Sequence, residues 1–457
     1  MIGGLLRTTS LAALLAVGGL VGGMSQANAA DLGGDCCADL EERVAELEAT
    51  TARKGNRKVS LTVSGQVNEL VYWWDDGHES NVYVGTSGYS SSRFRFKGDA
   101  KINADWSAGY YMEVEVVSAQ VHTLTATSDD GPASANAVKL RQSNWFLKSK
   151  TLGTITVGQQ SHATDDIILY SLAGVGIASA SNHNVAPGAG LLIRRSGTGA
   201  NTVASSALLQ FLDSDRANLV RYDSPSIAGF TFSASWGEDD MWDVALRYAG
   251  EFAGIKIAGG IGYHEERDNQ GDDGTANISL MAPNAAAATG VDFDEIRGSI
   301  SVLHDPSGLF VDFAAIWREF DVSYDKSDFK YWDVRAGIHQ KFFALGKTTI
   351  FGEYAKAEGA LEGSFTTATS LGGTPAVPAG LGGNPPAVPA VQARFDSDEI
   401  TVYGIGFQQN IDAAAMQLYM GWRHFEADIS TTRTGDVRTS RPTDDIDTVY
   451  TGARIEF

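Results

Sequence analysis

The chain has 457 residues, with 35 Lys and Arg against 56 Asp and Glu, a formal charge of −21, and only two Cys. That acidic balance argues against a nucleic-acid partner, and two adjacent cysteines exclude a disulfide framework. The length fits two or three ordinary domains or one large barrel.

Residues 1–29 read as a secretory signal: one basic residue, Arg7, an apolar run from Leu11 to Val21, and small residues ending Ala27-Asn28-Ala29. Cleavage is expected after Ala29 or one residue later. The run is too short for a spanning helix, and no other stretch approaches the roughly 20 apolar residues such a helix needs. A membrane location therefore requires strands. In the segment 30–57, Cys36 and Cys37 follow Gly33-Gly34-Asp35 and not a lipobox, so no lipid anchor is expected. Behind them Leu40, Val44, Leu47 and Thr51 alternate spacings of four and three, the seam of a short coiled coil. About two heptads cannot hold a helix in isolation, and a frayed amphipathic linker is the alternative.

From Lys58 the hydrophobic period becomes two. Val59, Leu61, Val63, Val67, Val71 and Trp73 share one face of the first segment, and Lys58, Ser60, Thr62, Ser64, Gln66 and Asn68 share the other. Arg93, Arg95, Lys97, Asp99 and Lys101 then oppose Phe94, Phe96, Gly98 and Ala100. After a turn near Ala104 and Asp105 the phase resumes, with Glu113 and Glu115 opposite Tyr110, Met112, Val114 and Val116. One such hairpin fits a soluble sandwich as well as a barrel. Sixteen segments carry the pattern: 58–74, 92–103, 106–118, 138–149, 153–160, 217–225, 229–237, 241–249, 254–265, 293–304, 308–319, 329–342, 347–357, 397–410, 414–426 and 445–457.

Short turns near 104–105, 150–152, 226–228, 250–253, 305–307, 343–346 and 411–413 alternate with longer connections. These run 76–91, 119–137, 161–216, 266–292, 320–328, 358–396 and 427–444, with one short exception near 238–240. A sandwich has no reason to keep its long loops at one end, whereas an outer-membrane barrel does. Aromatics at strand ends, in Phe230 to Trp236 and Trp242 to Tyr248, fit membrane-interface girdles. Opposite them lie Asp243, Arg247, Lys256, His264, Asp312, Arg318, Asp333, Arg335 and His339. Burying so many unpaired ions is too costly, so the pattern predicts a wet interior. The segment 138–149 loses its alternation after Arg141, and a bulge or a protein contact is expected there. The segment 358–396, with GGTPAVPAGLGGNPPAVPA, reads as a low-complexity external loop.

The stretch DLGGDCCADLEERVAELEATTARKGNRKVSLTVSGQVN, the segment VRYDSPSIAGF and the closing YTGARIEF resemble the general porins of alphaproteobacteria, the Rhizobiales type in particular. The resemblance implies an all-β fold, a transmembrane antiparallel β-barrel of about 16 strands over 58–457, assembled as a homotrimer in the outer membrane with its N-terminus in the periplasm. It implies a passive diffusion channel for ions and small hydrophilic solutes, with no cofactor, narrowed by the third external loop. The longest connection, 161–216, independently stands third, and a loop of that length without function is unusual. The resemblance also implies that Phe457, in phase with Val449 and Ile455, is the signal read by the barrel-assembly machinery, and that Ala30 is joined to peptidoglycan. A flexible tail explains 31–37 equally well. In a trimer, three helices over 38–53 gain a high effective concentration. Cys36 and Cys37 then predict cross-links between subunits, with a strained bridge between neighbours or free thiols as alternatives. Acidic external loops can meet lipopolysaccharide through divalent cations without a specific site.

If the apolar face of RFRFKGDAKI meets lipid or a neighbouring subunit, Arg93, Arg95, Lys97 and Lys101 form a basic ladder on the lumen wall, joined by Arg141. The infolded loop begins HATDD, so Asp165 and Asp166 face that ladder, with Asp213 and Asp215 as weaker candidates near its exit. Opposed charges across a gap set up a transverse field that orients water and disfavours apolar solutes. Ordinary wall charges in local salt bridges are the alternative. No catalytic constellation stands out among the eight scattered His, no metal motif is present, and GDDG at 271–274 is a weak calcium-like fragment. Two rival readings stay open: an outer-membrane enzyme, and a structural or adhesive barrel with a plugged lumen.

Overall fold

The computed structural model describes residues 58–126, 138–197, 200–210, 212–213, 216–237, 240–267, 292–320, 328–362, 365–366, 393–433 and 439–457. The expected signal sequence, the expected coiled-coil segment with Ala30, Cys36 and Cys37, Asp215, and most of the low-complexity segment lie outside the described residues.

Sixteen long strands carry the period-two pattern: β1 Thr62–Asp75, β2 Arg93–Lys101, β3 Trp106–Val116, β4 Val138–Ser149, β5 Gly153–Ser161, β6 Arg216–Asp223, β7 Phe230–Gly237, β8 Trp242–Phe252, β9 Ile255–Glu266, β10 Phe293–His304, β11 Leu309–Phe320, β12 Asp328–Phe343, β13 Gly346–Glu358, β14 Ala393–Ile411, β15 Met416–Arg433 and β16 Ile446–Glu456. Each pairs antiparallel with the next. β16 returns to pair with β1, from Gln66 opposite Glu456 to Asp75 opposite Asp447, so the sheet closes on itself. Helix is limited to short turns such as Ser205–Leu209 among the described residues. Apolar side chains all around the wall, among them Val63, Phe94, Ile261, Ile300, Trp317 and Ile405, point outward and are exposed. Phe230, Phe232, Trp236 and Trp242 share that face, as their spacing predicts.

The first expected long connection, 76–91, is no loop. The carboxylates of Asp75 and Asp76 accept from the N–H groups of Gly77 and Glu79, at 2.8 and 2.9 Å, closing a tight turn. Ser80–Thr86 then runs back along the far half of β1, and β2 takes over where Gln66 meets Arg93. Six residues, 87–92, thus face only two on β1 and are extruded. Gln66 and Asn68 hold the extruded segment by donating to the carbonyls of Ser91 and Ser90, both at 2.8 Å.

The bulge expected in 138–149 is present. Glu113 pairs with Gln142 and Val114 with Leu140, leaving Arg141 as the extra residue. Arg141 and Gln142, adjacent in sequence, therefore both line the interior.

The interior is not uniformly wet. Loop residues Ile167, Ile168, Val175, Ile177, Leu191, Leu208 and Leu209 are buried in one cluster with Tyr331, Phe351, Phe395 and Tyr450 of the wall. Arg318, Arg335 and Arg423 lie beneath this packing, at most 1% exposed. They tolerate it because each meets a carboxylate: Glu295 at 2.9 Å, Asp333 at 3.6 Å, and Glu353 at 2.8 Å. The expectation that inward charge demands water fails on this side, because the charges are paired and covered.

Candidate functional site

Interior space survives beside β2–β5, and the long loop 162–215 defines its other side. Asp243 on β8 fixes the loop's first turn, accepting from the N–H groups of Ala163 at 3.2 Å and Thr164 at 2.6 Å. Glycines on β9 make room for that turn. A Cβ on Gly260 would lie 2.8 Å from Ile167 Cγ1, and one on Gly262 would lie 2.6 Å from Thr164 Cγ2. The loop then follows the inner wall: Ser301 accepts from the N–H of Leu172 at 2.8 Å, and Tyr450 donates to the carbonyl of Ala178 at 2.9 Å. Further on, Arg335 donates to the carbonyl of Ser179 at 2.9 Å, and Glu353 meets Ser179 and His183. Arg194 finally reaches Asp76 at 2.5 Å and also pairs with Glu79. The loop is thus laid against β8–β16 and the end of β1, away from β2–β5.

The space left is a cavity of about 1130 Å³, lined by Arg93, Arg95, Glu113, Glu115, Lys139 and Arg141 on the wall, and by Asp165, Asp166 and Asp213 on the loop. Cross-strand register places Arg95 opposite Glu113 and Arg93 opposite Glu115. Glu113 consequently meets three guanidiniums: Arg141 at 2.5 Å, Arg95 at 2.8 Å and Arg93 at 3.3 Å. Arg141 also lies 3.6 Å from Glu115. Below, a second space of about 380 Å³ is lined by Lys97, Lys148, Arg221 and Asp223, and Tyr111, Gln142 and Ser161 line both.

On the loop, Asp165 is buried and lies 3.5 Å from Arg216. Asp166 has a φ of 62°, and its N–H donates to Asp213 at 3.1 Å. The neighbouring Asp165 carboxylate pushes Asp166 up to about 6. Burial, then Asp165 and Asp166, raises Asp213 well above the usual carboxylate range.

Of the candidate residues, Arg93, Arg95, Arg141, Asp165 and Asp166 therefore surround one cavity. Lys97 belongs to the lower space, and Lys101 lines neither, standing exposed at the end of β2. Phe457 closes the seam: its N–H donates to the Gly65 carbonyl at 3.1 Å, and its ring meets Phe94 at 5.9 Å.

The family model described as Gram-negative porin matches residues 10–454. The chain belongs to the Gram-negative porin family. No curated protein sequence matches this porin. Among solved structures it is similar to the anion-selective porin from Comamonas acidovorans, at 14% identity and a TM-score of 0.53, covering 87% of this chain and 100% of that one. It is also similar to the trimer form of OmpT, an outer membrane protein of Vibrio cholerae, at 13% identity and a TM-score of 0.50, covering 87% of this chain and 99% of that one. These likenesses show the barrel fold, and the family is one of outer-membrane proteins.

Sequence reasoning missed Glu113, Glu115, Lys139 and Arg216 as lining groups of the porin. Three of them were legible. Glu113 and Glu115 share the phase of the arginines across one hairpin, so any in-phase register brings them together. Lys139 shares the phase of Arg141. Arg216 carried no such signal, because its partner Asp165 comes from the infolded loop.

Proposed function

We propose that the protein is a water-filled passive diffusion channel for ions and small hydrophilic solutes, without catalysis, constricted between the β2–β4 wall and the loop's first turn. The cavity of about 1130 Å³, with cationic groups mainly on one side and Asp165 and Asp166 on the other, carries this reading. Opposed fixed charges orient water and dipolar solutes and act against apolar ones. Arg93, Arg95 and Arg141 form the basic side of the constriction and Asp165 and Asp166 the acidic side. Lys97 acts at the lower mouth, and Lys101 lies beyond it. Planar-bilayer recording of the purified protein tests the reading. Discrete conductance steps that depend on salt support it, and a barrel that inserts without conducting favours the plugged, adhesive alternative.

The active form in this proposal is a homotrimer, with the N-terminus in the periplasm and Phe457 as the assembly signal. Native mass measurement in detergent tests the trimer. After signal cleavage Ala30 carries a peptidoglycan link, and Cys36 and Cys37 cross-link subunits through the short coiled coil. Mass analysis of purified sacculi and non-reducing gels are the respective checks; a wholly free N-terminus, or monomer alone on the gel, counts against each.

A further inference from the structure

Where the loop leaves β5, three metal-ligating side chains that conduction does not use converge. His162 is the first residue of the loop, Asp243 lies on β8, and His264 lies on β9. Asp243 and His264 are direct cross-strand partners, so both side chains point inward, with His264 Nδ1 4.0 Å from Asp243 Oδ2. The ring of His162 stacks on that of His264 with centroids 5.3 Å apart. One donor atom from each of the three lies within 4.8 Å of the others.

All three residues are buried, with exposures of 4%, 0% and 2%. Even so, neither ring nitrogen of His162 has a hydrogen-bond partner, and neither does His264 Nδ1. Buried polar atoms are almost always satisfied, and the two unpartnered nitrogens of the buried His162 ring call for an explanation. The surroundings orient the donors. His264 Nε2 lies 3.2 Å from Glu266, and its Nδ1 is turned toward Asp243. Asp243 is held by Ser235, by the N–H groups of Ala163 and Thr164, and by the Thr164 hydroxyl. The nearby Arg297 guanidinium is paired with Glu295.

We propose that His162, Asp243 and His264 bind one divalent transition-metal cation, zinc, which clips the start of the infolded loop to the barrel wall. Two imidazole nitrogens and one carboxylate oxygen form a zinc donor set, whereas calcium and magnesium take oxygen ligands. Bond lengths of about 2.0–2.2 Å place tetrahedral donors roughly 3.4 Å apart, so the triangle contracts on binding. His162 can supply the movement, since its ring breaks no hydrogen bond in turning. Three protein ligands leave a fourth position open.

The test uses the full chain, assembled in detergent, stripped with EDTA and desalted. It is titrated with CoCl2, ZnCl2 and CaCl2 separately. The expected result is about one Co2+ per chain, with the visible absorption of a nitrogen- and oxygen-ligated site, displaced by Zn2+ and indifferent to Ca2+. His162→Gln is the deciding variant, because it removes a loop ligand whose ring makes no other hydrogen bond. It should weaken Co2+ binding at least tenfold while the heat-modifiable gel shift of the folded barrel persists. His304→Gln, at the exposed end of β10, should leave binding unchanged. No saturable Co2+ or Zn2+ binding, binding indifferent to His162→Gln, or saturation of the site by Ca2+ would each overturn the proposal.

Discussion

Replacing Glu113 by Gln removes the carboxylate that meets Arg141 at 2.5 Å, Arg95 at 2.8 Å and Arg93 at 3.3 Å, while the shape of the side chain is kept. The wall of the cavity then presents Arg93, Arg95, Lys139 and Arg141 against Glu115 alone, one unit more positive than before. An ion passing about 7 Å from the lost charge feels a change of about 0.6 kcal/mol at the dielectric constant of water, roughly one RT. An equal gain for anions and loss for cations multiplies to about a sevenfold change in permeability ratio at vanishing salt. With a Debye length near 10 Å, the change falls to about threefold in 0.1 M salt. Reversal potentials across planar bilayers under a KCl gradient measure it. Glu113→Gln should shift selectivity toward anions, and Arg95→Gln should shift it toward cations by a similar factor. If the Glu113 variant moves toward cations, or if assembled protein of both variants behaves as wild type, the conduction path does not run along this wall.

Because Asp166 is pushed up to about 6 by Asp165, it is ionised above that pH and protonated below it. Anion preference should therefore rise between pH 7.5 and 5 in bilayer recordings, and Asp166→Asn should flatten that part of the profile. Gly262→Val puts side-chain atoms where even a Cβ would lie 2.6 Å from Thr164, so the loop's first turn must lift. Larger, noisier single-channel steps and faster protease cleavage within 162–215 are expected, and unchanged steps would place the turn elsewhere. Glu353→Gln leaves Arg423 buried without the carboxylate that lies 2.8 Å away, a loss of about 3–5 kcal/mol for one partner of a buried pair. A lower midpoint in thermal unfolding of the folded band on gels checks it, and an unaltered midpoint would show that the pair adds nothing.

Strand number, strand order and outward face were legible because they rest on a local period. A strand that is wet or apolar on alternate sides must show it every second residue, so Val63, Val67 and Val71, or Phe230 and Phe232, declare their side without any knowledge of their neighbours. Even the irregularity at Arg141 was visible as lost phase, although its consequence, two consecutive side chains facing the cavity, needed the register of β3 and β4. The turn at Asp75 and Asp76 was misjudged because the polar run 76–81 hides a strand whose alternation, in Val82, Tyr83 and Val84, is only three residues long.

The sequence by itself determined a closed antiparallel wall, the place of the long third loop, and the basic and acidic residues available to a constriction. Only the tertiary structure decided which charges see water. Arg95 and Arg335 have the same alternating surroundings in sequence. Yet the first lines a cavity, and the second is buried under Ser179 and Ser181 of the loop. The path of that loop is set by non-local contacts: glycines on β9, hydroxyls on β10, Glu353 on β13 and Tyr450 on β16. A local period reports one strand's two faces. It carries no information about which distant segment will cover one of them, and that covering decides whether an inward charge is a buried partner or a wall of the pore.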